Sequence, residues 1–324
     1  NGLLLLMGLV LMLEWQVGCI NYSECQLSIV VPAWNYASRL PVCLHSVIDQ
    51  LNERCELIVV DDGSTDGTLE VLKSFIIPAG QRVGYLSQLN AGPAAARNRA
   101  VEVSGGRWIL PLDADDELCP GAIEAVLAKL DINPDTDLLL GASKVRDQHG
   151  NTQLRELPRI ASGAQQRLED YLLRGRLSLK HGACVFARSI LMDCPYAEHM
   201  RQGEDMAVFA KALVSQRIVP LQMPLVIINK HADSLRHDPD LALIHGQEVV
   251  GEVFANLPAE FAGLRQCFEA QRALSTFRSC YRARRFDLAD QLYRQAWRLS
   301  WRQAMRWSYL SKWLRMRLSG ETGN

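Results

Sequence analysis

The stretch Cys55–Phe75, CELIVVDDGSTDGTLEVLKSF, changes character halfway along. It begins as a short apolar run that ends in two carboxylates, Asp61 and Asp62. A run of this kind, bounded by turn residues, is the pattern of a strand buried on both faces. Gly63 then permits a tight turn, Ser64, Thr65 or Asp66 can cap a helix, and the remainder reads as that helix.

The same pattern continues on both sides. Upstream, LSIVVPAWN (27–35) predicts a buried strand and LPVCLHSVIDQL (40–51) a helix. Downstream, GYLSQLN (84–90) predicts a third strand, AGPAAARNRAVEVS (91–104) a loop opening into a helix, and RWILPLDADD (107–116) a fourth strand. This alternation implies an α/β fold built on a mostly parallel sheet flanked by helices, and such sheets bind ligands at the carboxyl ends of their strands. The charged clusters fall at those ends. Asp113, Asp115 and Asp116 crowd one strand-to-helix loop, where their repulsion calls for protons, cationic side chains or a divalent metal.

Beyond Gly141 the segments at 137–147, 181–191 and 219–230 read as strands and 203–216 as a helix, and from about residue 242 to 318 the pattern is helical. A boundary is expected in RHDPDLAL (236–243), where Pro239 marks a turn. The expected division is an apolar segment over 1–26, an α/β domain over 27–238 and a helical region over 239–324. Residues 284–300 are similar to the second helix of a tetratricopeptide unit, and a helical hairpin is expected there.

Composition narrows the class. A chain of 324 residues with 48% hydrophobic content supports a large core, and a net charge of -1 carries no global signal for nucleic acid. Nine cysteines without a C-x-x-C pair argue for reduced core thiols and a cytoplasmic setting. The apolar run GLLLLMGLVLML (2–13) is shorter than the roughly 20 residues that span a bilayer, and reads as a packing helix or a membrane contact.

Taken together and in order, VVPAWN (30–35), VVDDGSTDGT (59–68), NAGPAAARN (90–98), LDADDELCP (112–120), GEDMAVF (203–209) and KHADS (230–234) resemble glycosyltransferase family 2 over roughly residues 27–235. These are inverting nucleotide-sugar enzymes of the GT-A fold. The resemblance implies a donor most often linked to UDP, with Pro32 and Ala33 lining the nucleotide, Asp62 reading the base and Arg97 near the nucleotide. Asp113 and Asp115 would form the D-x-D pair that meets nucleotide and metal (Mg²⁺ or Mn²⁺), Asp115 being the more direct ligand. Asp205 of the Glu204-Asp205 pair would be the catalytic base, and His231 would complete the metal's coordination, with His237 close by as an alternative.

Some positions depart from the family pattern. Asn229-Lys230 replaces the usual Tyr-Arg before the histidine, and Met206-Ala207 replaces the aromatic that often follows Glu-Asp. The expected partners are a nucleotide-sugar donor and a glycan or lipid-linked acceptor of the cell envelope, with no nucleic acid. Alternatives are a catalytically silent sugar-nucleotide binder and a phosphotransferase using Asp113 as nucleophile. Four of the seven tryptophans, Trp297, Trp301, Trp307 and Trp313, interleave with arginines near the chain's end. That pattern suits either rings packed into a core or peripheral contact with the cytoplasmic face of a membrane.

Overall fold

A computed structural model of the chain describes residues 14–15, 25–75, 78, 80–230, 246 and 248–318. The chain divides into two compact units. The first comprises residues 1–157, 180–198 and 217–230, and the second 158–179, 199–216 and 231–324. Segments 158–179 and 199–216, which the linear reading places within 27–238, thus group with the C-terminal helices. Short amphipathic segments join whatever apolar face they can bury against, not their neighbours in sequence.

In the first unit, strands β1 (Glu14–Trp15), β2 (Leu27–Ala33), β3 (Cys55–Asp61), β4 (Arg82–Ser87) and β5 (Trp108–Pro111) alternate from β2 onward with helices α1 (Leu40–Ile48), α2 (Thr68–Ser74) and α3 (Pro93–Val103). They are followed by β6 (Glu117–Leu118), α4 (Ala122–Ile132), β7 (Leu138–Arg146), β8 (Thr152–Arg155), β9 (Cys184–Ala187), α6 (Arg188–Asp193) and β10 (Ile218–Asn229). The sheet order is β1-β4-β3-β2-β5-β9-β7-β10-β6, with β8 on β7. Every residue of β2 and β3 is buried, as the unbroken apolar runs require.

The block β4-β3-β2-β5 is parallel, because each strand returns through a helical crossover. The second half is mixed. β9 runs antiparallel to β5 and β7, whereas β10 runs parallel to β7. Along β10 the register shifts around Pro224, a residue that has no N–H to contribute to a ladder. Past that irregularity β10 pairs antiparallel with β6, which brings Asn229 alongside the acid loop. The short β1 pairs with β4, and the apolar run 2–13, expected as a packing helix or a membrane contact, lies outside the described residues, as do residues 16–24.

From β2 the chain passes to β3 and β4 on one side and then crosses to β5 on the other. This reversal makes the carboxyl ends of β2 and β5 a topological switch point, the crevice where open α/β sheets bind ligands.

In the second unit, helices α5 (Ala164–Leu168) and α7 (Met206–Leu213) share a cationic staple. The Arg167 guanidinium donates to the carbonyls of Leu213 (2.7 Å), Ser215 (2.7 Å), Ala161 (3.1 Å) and Ser162 (2.5 Å). Two of these close the end of α7, where unpaired carbonyls and the helix dipole favour a cation. The expected hairpin forms from the helices Arg265–Arg282 and Phe286–Leu299, around Leu274, Phe277 and Tyr293.

Candidate active site

Four loops follow the ends of β2, β3, β4 and β5, and their side chains interlock. Ala33 ends β2 opposite Asp61, with Pro32 just before it, and the Ala33 carbonyl accepts the Asp62 N–H at 2.8 Å. Asp61 accepts from the Ser87 hydroxyl at 2.9 Å and from the Ser64 N–H at 3.2 Å. Asp62 is buried and grips the loop after β4: one oxygen accepts from Gln88 Nε2 (2.7 Å) and the Ala91 N–H (2.9 Å), the other from the Gly92 N–H (2.8 Å). The turn between them requires glycine, since Gly63 has φ +70° and a Cβ there would stand 2.7 Å from the Asn90 nitrogen.

The acid loop is held from two sides. Buried Arg97 donates through Nη2 to Asp113 Oδ1 at 2.8 Å, and His181 Nδ1 lies 3.5 Å from the same oxygen. Burial would raise the Asp113 pKa, but these two partners outweigh it and hold the carboxyl well below the usual range. From the other side Asn229 donates its N–H to Asp116 Oδ1 (3.0 Å) and its Nδ2 to the Asp115 carbonyl (2.7 Å). Arg146 braces both Glu117 and Asn229. The Tyr36 hydroxyl stands 3.5 Å from Asp115 Oδ2, its pKa pushed up to about 12 by burial and by the Asp115 and Asp113 charges. Beside it Trp34 leaves 52% of its surface exposed, an aromatic face at the end of β2.

Pro32, Ala33, Asp62, Arg97, Asp113 and Asp115 are therefore brought to one sheet edge. Asp205 belongs to the second unit, and His231 lies outside the described residues. Asp205 occupies the N-cap position of α7 without bonding to the helix amides, so its carboxylate is not committed to capping. The Arg272 guanidinium approaches Met206 Sδ at 3.9 Å. Burial lowers the Arg272 pKa, and the nearby Tyr171 and Asp205 oppose that shift.

Sequence reasoning missed His181, Tyr196 and Tyr36, and it treated Asn229 only as a departure from a pattern. Nothing local marks these residues. Each acquires its partners from a segment far along the chain.

Among the described residues, no three His, Cys, Asp or Glu side chains gather into a metal cluster. The donor chemistry of Asp115 nevertheless fits a hard divalent cation, which takes one or two carboxylate oxygens and completes its shell with phosphate and water.

Loops from four strand ends converging on an acid loop at a switch point define an α/β fold of the GT-A type. Residues 28–194, just over half of the chain, match the sequence model of Glycosyl transferase family 2, and the chain belongs to that family.

Relatives include the uncharacterized glycosyltransferase YibD of Escherichia coli (strain K12), 36% identical over 105 residues, which are 32% of this chain and 30% of that protein. TuaG of Bacillus subtilis (strain 168), a glycosyltransferase provisionally named for teichuronic acid biosynthesis, is 40% identical over 92 residues, 28% of this chain and 36% of its own. The matched stretch thus spans about a third of either relative. In fold, the chain is similar to crystal structures of S. aureus TarS 1-349, including one in complex with UDP (TM-score 0.61, 19% identity, 91% of this chain and 92% of that one).

Proposed function

We propose that the protein is an inverting, metal-dependent glycosyltransferase that moves one sugar from a UDP-linked donor to a glycan or lipid-linked acceptor of the cell envelope. The observation that carries this reading is the acid loop Asp113–Asp116 at the β2/β5 switch point, beside Asp62 and Arg97. Two of the similar proteins support the substrate classes: TarS has been crystallised with UDP and with UDP-GlcNAc, and TuaG is named for an envelope polymer.

In this reading the main chain at Pro32 and Ala33 lines the nucleotide. Asp62 keeps the loop at Ala91 and Gly92 in place and offers its remaining lone pair to the base, while Arg97 keeps Asp113 ionised beside the nucleotide. Asp115, with Asp113, would hold Mg²⁺ or Mn²⁺, with His231 a further ligand, and the ion would stabilise charge on the departing diphosphate. Asp205 takes the proton of the acceptor hydroxyl as that oxygen attacks the anomeric carbon. The new carbon–oxygen bond forms as the bond to the diphosphate breaks, so one displacement inverts the centre.

The test is the thermal shift produced by UDP. UDP should raise the melting temperature only with Mg²⁺ or Mn²⁺ present, and Asp115→Ala should abolish that dependence, because a methyl group cannot replace an oxygen ligand. An unchanged metal-dependent shift in the variant would exclude Asp115 from the site.

Peripheral contact with the cytoplasmic face of a membrane, through the tryptophan- and arginine-rich helices, belongs to the same reading. It would bring the enzyme to a lipid-linked acceptor.

A further inference from the structure

Asp113 ends a chain of contacts that begins well outside the motifs. Its Oδ1 lies 3.5 Å from His181 Nδ1, and His181 Nε2 lies 3.2 Å from the Tyr196 hydroxyl. Both rings are buried, with 8% of His181 and 2% of Tyr196 exposed, so their polar atoms depend on protein partners. One assignment serves both contacts: His181 carries its proton on Nδ1, facing the ionised Asp113, and Nε2 accepts the Tyr196 O–H.

Tyr196 is itself held on three sides. Its N–H donates to Asn98 Oδ1 and its carbonyl accepts from Asn98 Nδ2, both at 2.9 Å. The Arg97 guanidinium lies over its ring, 5.4 Å from the centroid. Consecutive residues of α3 therefore grip two parts of one construction: Arg97 holds the Asp113 carboxylate and the tyrosine ring, and Asn98 holds the tyrosine main chain. On the other side of His181, Gly182 has φ +75° and packs where a Cβ would stand 2.6 Å from Val226 Cγ2 and 3.1 Å from Leu112 Cδ1. The histidine is thereby pressed against the strand end that launches the acid loop.

We propose that His181 and Tyr196 are positioning residues for nucleotide binding, a buried relay that fixes the Asp113 carboxylate and so the attitude of the acid loop. The inference rests on the reading of Asp113 and Asp115 as donor-binding side chains. A carboxylate held by Arg97 alone can still rotate about that one contact. A second buried contact on the same oxygen removes the rotation, and the Tyr196 hydroxyl keeps the imidazole from turning away.

The experiment is calorimetric titration of the full chain with UDP and Mn²⁺, accompanied by thermal melts. Tyr196→Phe keeps the ring under Arg97 and removes only the hydroxyl; UDP should bind about 3- to 10-fold more weakly, the range of one hydrogen bond. His181→Ala should lose at least as much. The double variant should lose no more than His181→Ala alone, because both changes cut the same relay. His181→Asn, whose amide can place a donor near the Nδ1 position, should recover most of the affinity.

Asp115→Ala in the same titration separates the two levels. If it loses metal-dependent binding while Tyr196→Phe and His181→Ala bind as the parent does, the pair is only a core contact and the inference is overturned. Additive losses in the double variant overturn the relay as well. If Asp115→Ala binds like the parent, the reading of the site fails and the inference with it. Should His181→Ala not fold, Tyr196→Phe decides alone, through UDP affinity rather than melting temperature.

Discussion

Asp113 and Asp115 stand two residues apart and meet different surroundings, and that difference makes them separable by experiment. Arg97 and His181 hold the Asp113 carboxyl well below its usual range, against the effect of burial. A depressed folded pKa contributes stability that is present above the unfolded carboxyl value, about 3.9, and is lost as pH falls toward the folded value. The parent should therefore lose more stability between about pH 6 and pH 3 than Asp113→Asn does, as read from urea midpoints at each pH. An equal acid-side loss in both proteins would show that the Arg97 pair contributes nothing to the pH dependence.

Asp205 calls for a different measurement. Asp205→Asn keeps the shape but cannot take a proton, so UDP affinity should survive while transfer falls by roughly 10²- to 10⁴-fold. An N-terminal helix acid would instead cost about 0.3 to 1 kcal/mol of stability with turnover intact. Transfer at more than about a tenth of the parent rate would remove Asp205 from the mechanism.

At the scale of elements, helix α7 has Asp205 at its N-cap, and its last turn is closed by Arg167 from α5. The guanidinium answers four carbonyls in a buried setting, and burial lowers its pKa. Arg167→Ala leaves those carbonyls without their donor and should cost about 2 to 4 kcal/mol, measured by urea unfolding. A loss below about 0.5 kcal/mol would mean that water replaces the arginine. The strand β10 has a comparable role in the first unit. Past its irregularity at Pro224 it pairs with β6, and Asn229 then ties the Asp115 carbonyl and the Asp116 carboxylate. Asn229, where the family pattern usually has tyrosine, thus holds the acid loop from the β10 side.

Across the whole molecule, charge is distributed unevenly. Residues 281–318 hold ten Lys and Arg against two Asp, in a chain whose net charge is -1. The tryptophans of this segment divide into two kinds. Trp313 stacks on Tyr293 at 4.8 Å and donates to Asp290 at 2.7 Å, whereas Trp297, Trp301 and Trp307 are 44%, 56% and 73% exposed among Arg298, Arg302 and Arg306. No helix among the described residues is long and apolar enough to cross a membrane. Exposed indoles among arginines suit the headgroup layer of an anionic bilayer.

Trp301→Ala with Trp307→Ala should lower binding to phosphatidylserine-containing vesicles, and salt should lower it in the parent, with melting temperature unchanged in both cases. Trp313→Ala should lower the melting temperature instead. Parent protein that ignores vesicles at low salt would leave the exposed rings without this role.

Apolar runs and turn residues alone determined the βαβ block. Strands buried on both faces need no partner-specific information to declare themselves, and parallel pairing demands the helices that the sequence supplies between them. The acidic strand ends were legible for the same reason: charges that interrupt such runs must lie where the strand leaves the core. What the tertiary structure decided is how those charges are answered. The clasp of Asp62 on Ala91 and Gly92, the hold of Arg97 and His181 on Asp113, and the reach of Asn229 to Asp115 join residues from 16 to 114 positions apart. Periodicity carries no record of such pairings, because each is set by which strand ends the sheet order places side by side.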